Sequence, residues 1–175
     1  MPRSPINLIF QIDLAAWKRI PRLEAQLQKA ARMALDHLPK KFRFSATVNV
    51  LLTGNAKIRQ LNHDFRGISK PTNVLSFPQY EPAELTRLGR EKAPLELGDI
   101  ALGYQYIVDE AKKDHKLLIN HLTHLILHGL LHLFGYDHLT MPDAEHMEKL
   151  ERKIMASLGL PDPYAEVPAT RSRKQ

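Results

Sequence analysis

The chain has 175 residues, 43% of them hydrophobic, a formal net charge of +6 and no cysteine. That length suits a single domain able to bury roughly two thirds of its unfolded surface, and the composition excludes a disordered chain. Without cysteine there are no disulfides, no thiolate-bound zinc and no thiol nucleophile, which suits a reducing cytoplasm. The basic balance, with a pI near 9.6, favours an anionic partner such as nucleic acid. Aromatic residues, at 7%, offer no stacking platform for single-stranded bases. Met1 to Pro5 does not read as a signal peptide. The most apolar run, Leu117 to Phe134, is interrupted by four histidines, so no membrane span is expected.

Taken in order, Ile6 to Ile12 alternates weakly and is rich in β-formers, which predicts a first strand. Pro21 can start a helix, and Arg22 to Leu38 follows with apolar residues at helical spacing until Pro39 ends it. Basic residues on and around this segment (Lys18, Arg19, Arg22, Lys29, Arg32, then Lys40, Lys41 and Arg43) read first as a solvated face. Phe42 to Thr53 alternates cleanly and predicts a second strand. Gly54-Asn55 breaks it, and Ala56 to Phe65 reads as a short helix. Thr72 to Phe77 is a third strand after a loop. The proline-rich stretch Pro78 to Pro94 is a surface loop with a helical turn near Ala83 to Gly89. Leu95 to Leu102 is a fourth strand, where Gly98 and Gly103 allow a bulge or close approach. Helices are expected over Tyr104 to Lys113, Lys116 to Phe134 and Pro142 to Leu158, the last capped by Thr140. The order βαβαββααα predicts an α+β fold, a small mixed sheet covered by helices. Residues 1–160 form one domain, and 161–175, proline-rich and then basic, form a flexible tail.

The chemistry concentrates in His128-Gly-Leu-Leu-His132-Leu-Phe-Gly135-Tyr-Asp-His138. At about 100° per residue, His121, His124, His128 and His132 lie within about 80° of one another on one helix face. Burying that many unpaired imidazoles is costly. His128 and His132, about 6 Å apart along the axis, can share one ion. Gly135 can end the helix in the left-handed conformation and let the chain return His138 to the same ion. Three imidazoles suit zinc, and also nickel, copper or iron, and leave a coordination position open. His121 and His124 lie further back and read as supporting residues. Asp137 is placed either to orient an imidazole or to cap the turn. His37, His63, His115 and His146 are expected on the surface. The spacing matches the zinc-protease pattern HExxHxxGxxH, but Gly129 stands where the proteases carry their general-base glutamate. The metal site is kept and the peptidase base is absent.

This segment resembles the signature of the YbeY family of bacterial metal-dependent endoribonucleases, the ribosomal RNA maturation factors. Leu61-Asn62-His63-Asp64-Phe65-Arg66, Lys70-Pro71-Thr72-Asn73-Val74-Leu75-Ser76-Phe77-Pro78 and Leu97-Gly98-Asp99-Ile100 agree with the family in the same order. The resemblance implies a metalloprotease-like α+β fold, zinc held by His128, His132 and His138, and Arg66 beside the metal as a catalytic residue with His128. It further implies cleavage of single-stranded RNA, maturation of the 3′ end of small-subunit ribosomal RNA, and ribosome quality control. The small ribosomal subunit and its proteins would be partners in the cytoplasm. In this reading the ion polarises a phosphoryl oxygen and Arg66 grips the phosphate. Attack by water and attack by the RNA 2′-hydroxyl both remain open. The rivals are a zinc peptidase, a non-catalytic ribosome assembly factor whose metal staples the fold, and a hydrolase of a small phosphorylated molecule.

Overall fold

In the computed structural model, which describes residues 6–91 and 94–165, four strands form one mixed sheet. The strands are β1 (Ile6–Ile12), β2 (Ala46–Thr53), β3 (Val74–Pro78) and β4 (Leu95–Gly103), in the spatial order β1-β2-β4-β3. The first three in that order are parallel, and β3 closes the edge antiparallel to β4. Helices α1 (Leu23–His37), α5 (Leu118–Leu133) and α6 (Met141–Ser157) pack together on one side. There Leu27, Ala30 and Ala34 of α1 and Leu122, Ile126 and Leu130 of α5 meet Val48, Val50, Ile100 and Leu102 in one core. On the opposite side, Ile58 of α2 (Asn55–Arg66) packs with Leu75 and Ala101 in a smaller cluster. The predicted α+β architecture is the one found.

Two segments differ from the sequence expectation. The second strand begins at Ala46 rather than Phe42, because Lys40–Phe42 is a 3-10 turn. Phe42 and Phe44 are buried against the Phe134 ring, at 5.3 and 6.2 Å between centroids. Their alternation therefore reflects aromatic packing against the end of α5, not strand pairing. A 3-10 turn over Ala15–Arg19, too short to show a period, buries Trp17, whose indole donates to the Thr53 carbonyl at 3.0 Å. The proline-rich stretch holds α3 (Pro82–Leu88) with Pro82 in its first turn. Helix α4 (Tyr104–Lys113) has the predicted bounds.

Glycines shape β4 and the helix end. Gly98 has φ +129°, beside a register shift between Thr47 and Asn49, and a Cβ there would lie 2.1 Å from the Phe77 carbonyl oxygen. Gly135, at φ +86°, ends α5 with its N–H on the His132 carbonyl and the Tyr136 N–H on the Leu131 carbonyl. Thr140 caps α6, accepting from the Asp143 N–H. The expected tail begins inside a held segment: Pro163 is buried and Asp162 and Tyr164 are hydrogen-bonded to the body. The basic remainder, residues 166–175, lies outside the described residues.

Candidate metal centre and its cleft

The α5 helix carries His128 and His132 one turn apart, and the reversal at Gly135 returns His138 to them. One potential ligand nitrogen from each of these three residues lies within 4.8 Å of the others. The tautomers of two rings follow from their partners. His128 Nδ1 is 2.8 Å from Glu151 Oε1, an ionised carboxylate that only accepts, so Nδ1 carries the proton. His132 Nδ1 is 2.9 Å from the Tyr136 carbonyl oxygen, so it also donates. With each Nδ1 engaged, the Nε2 atoms are the ones left to bind an ion, and they face each other at 3.1 Å. A cation held between them takes both lone pairs. Two nitrogens about 2.0–2.1 Å from one tetrahedral ion lie about 3.3 Å apart, so the donor set fits a zinc-like ion.

Electrostatics favour the neutral ring at His132. Burial, then the neighbouring His128 and His138 rings, push the His132 imidazole down to about 4. It is thus neutral at physiological pH, as metal binding requires. Glu151 sits on the inward face of α6 and is 0% exposed. Burial pushes its carboxyl up, but His124, His128 and the Tyr164 hydroxyl outweigh this and hold it at about 2. Carboxylate, imidazole and ligand position form the arrangement that orients metal-binding histidines.

The three histidines open into a cleft of about 580 Å³ whose other wall is Arg66, Thr72, Asn73, Val74, Ser76, Pro78 and Tyr80. Arg66 is exposed at the C-terminal end of α2, where Gly67 stops the helix at φ +70°. The buried Asn62 donates to the Lys70 carbonyl at 2.8 Å and pins the loop that follows. Asn73 is the hinge of the opposite wall. Its side-chain oxygen accepts from the Val74 N–H, and its amide donates to Glu110 Oε2 at 2.9 Å. A larger concavity, about 750 Å³, opens on the other face of the sheet and contains none of the histidines.

The structure thus brings Arg66, His128, His132 and His138 to one cleft. His121 stands apart, paired with Glu110 at 3.0 Å. His124 Nε2 lies 3.6 Å from Glu151 Oε1, beyond hydrogen-bond reach but close enough for an ion pair. Asp137 caps the turn by accepting from the His138 N–H. Of the four histidines expected on the surface, His63, His115 and His146 are exposed. His37 is half-buried, bridging Met33 and Ser157. Sequence spacing missed Glu151. Its one signal is an acid at helical spacing among Met147, Ile154 and Met155, all buried.

At Gly129 the backbone is buried against β4, and a Cβ would come within 3.1 Å of Ile100. The position of the protease glutamate is therefore a close helix–sheet contact in this chain.

A family model described as Endoribonuclease YbeY matches residues 12–159. The Endoribonuclease YbeY of Bradyrhizobium diazoefficiens is 48% identical over 169 residues, covering 97% of this chain and 90% of that protein. The one from Nitrobacter hamburgensis is 52% identical over 149 residues, covering 85% and 77%. The solution structure of TM1509 from Thermotoga maritima shares the fold, with a TM-score of 0.52 at 22% identity over 91% of this chain and 99% of that one. With its sequence matched nearly end to end, its fold shared and three histidines converging at the end of α5, the chain belongs to the Endoribonuclease YbeY family.

Proposed function

We propose that this protein is a metal-dependent endoribonuclease that cuts single-stranded RNA during maturation of the 3′ end of small-subunit ribosomal RNA and in ribosome quality control. His128, His132 and His138 hold the ion, and zinc is the reading their three imidazoles favour. The observation that carries this is the pair of Nε2 atoms facing each other at 3.1 Å, with each ring held through its Nδ1. When bound, the ion supplies Lewis-acid stabilisation of charge on the phosphate and lowers the pKa of water.

The chain's own residues do the rest. Arg66 stands in the wall facing the histidines and binds the scissile phosphate through its planar fork of donors, stabilising the charge that builds there. Glu151 and the Tyr136 carbonyl hold the two helical imidazoles in their ligand tautomers. Thr72, Asn73 and Ser76 offer polar groups along the wall where flanking nucleotides lie. Substrate RNA brings the small ribosomal subunit and its proteins as partners in the cytoplasm. Among the described residues no helix is long and apolar enough to cross a membrane.

The test is cleavage of a single-stranded ribosomal RNA fragment by purified protein, untreated, chelator-treated and resupplied with zinc. Cleavage lost with chelator and restored by zinc supports the reading. Cleavage indifferent to chelator overturns it. Casein digestion run alongside tests a peptidase, which the crowded Gly129 position disfavours.

A further inference from the structure

Glu151 needs more than His128 to be stable where it is. A carboxylate that is 0% exposed has no water to satisfy it, and an unpaired buried oxygen is costly. Its Oε1 accepts from His128 Nδ1, and its Oε2 accepts from the Tyr164 hydroxyl. Tyr164 follows the end of α6 and lies beyond the stretch matched by the family model. Its ring stands edge-on to His124 at 5.2 Å between centroids.

The segment carrying Tyr164 is clasped on both sides. Asp162 Oδ1 accepts from Arg152 Nε at 3.2 Å and from the Tyr164 backbone N–H at 2.9 Å. Lys116 Nζ, from the turn before α5, donates to the Pro163 carbonyl at 3.1 Å. The Arg152 guanidinium lies over the Tyr164 ring at 5.0 Å. Two basic side chains, Arg152 and Lys116, thus hold the segment that delivers one phenol to one buried carboxylate.

We propose that Asp162-Pro163-Tyr164 is a positioning strap for the metal centre: Tyr164 fixes Glu151, and Glu151 fixes the His128 ring with Nε2 turned toward His132 and His138. The proposal rests on the reading of those three histidines as metal ligands. It makes metal affinity depend on a residue that touches neither metal nor RNA. Removing the Tyr164 hydroxyl leaves Oε2 unsatisfied and lets the carboxylate rotate away from His128. Such outer partners of metal-binding histidines typically govern affinity by about 10–100-fold.

The experiment is zinc affinity by chelator competition on the full-length chain, for wild type, Tyr164→Phe and His132→Ala. Far-UV circular dichroism and the visible spectrum of the cobalt(II)-loaded protein accompany each. Tyr164→Phe is expected to stay folded, bind zinc at least about tenfold more weakly and shift the cobalt bands. Wild-type affinity and spectrum in Tyr164→Phe overturn the strap. If His132→Ala keeps its zinc, the ligand assignment itself fails, so the two failures are distinguishable. Should Tyr164→Phe unfold, the double variant Lys116→Ala/Arg152→Ala loosens the clasp from outside the core. Several-fold weaker zinc binding then supports the strap, and unchanged binding overturns it.

Discussion

The proposed function gives His132 and Arg66 separable jobs. His132→Ala removes one of two facing Nε2 donors, so it should lose both the metal and RNA cleavage. Elemental analysis checks the first and a cleavage assay the second, and full zinc occupancy in the variant rejects the assignment. Arg66→Glu should keep the metal, because Arg66 is exposed and not among the grouped ligand residues. It should lose cleavage by two to three orders of magnitude, on the order of what a missing transition-state donor costs. Unchanged cleavage removes Arg66 from the mechanism. The histidines were legible because two share one helix face and the third follows a helix-ending glycine. Arg66 was not, since its place opposite them depends on the ends of α2 and α5 opening into one cleft beside β3. It entered through family resemblance. Glu151 and Tyr164 were also hidden, for their partnerships span 23 and 13 residues with no local period.

At the scale of elements, the helices and strands followed their apolar periods wherever a segment was long enough to show one. The errors fell where another force produced the same pattern, as with the Phe42 and Phe44 rings on Phe134. Gly98 was legible as a bulge or a close approach, and the backbone shows both. Gly98→Ala places a Cβ 2.1 Å from the Phe77 carbonyl at φ +129°. Strain and crowding should cost roughly 2–5 kcal/mol, read as a lower midpoint in urea at unchanged slope. The link between α4 and the cleft wall carries a pH signature. Glu110 is pushed up by burial, but hydrogen bonds from His121 and Asn73 prevail and leave its carboxyl below the ordinary value of 4.5. A carboxylate depressed in the folded state stabilises it fully above the unfolded pKa, and that contribution fades as pH falls through the folded value. Glu110→Gln should therefore lower the melting temperature at neutral pH, and the gap to wild type should narrow below pH 4.5. A gap that stays constant across that range shows that Glu110 does not titrate against the fold.

For the whole molecule, the question is whether the metal holds the fold together or works on a fold already made. Small domains that depend on zinc for folding lack an adequate core. Here one continuous core runs from Leu8 and Leu27 through Val50 and Ile100 to Ile126 and Ile154, without using the three histidines. Two of those imidazoles are held by Glu151 and the Tyr136 carbonyl, which are contacts within the protein itself. The chelator-treated protein should consequently remain folded. Trp17 is the only tryptophan and 1% exposed, with its indole bonded to Thr53, so its emission reports the sheet rather than the cleft. Metal removal should leave that emission and the far-UV spectrum unchanged. Resupplying metal at about 100 times its dissociation constant should add about 2.7 kcal/mol by mass action. For a chain of this size that raises the melting temperature by roughly 5–10 °C. Red-shifted Trp17 emission on chelation would instead make the metal a structural staple, and would favour an assembly factor over an enzyme. A folded, metal-free protein that regains RNA cleavage when zinc returns assigns the ion to the chemistry.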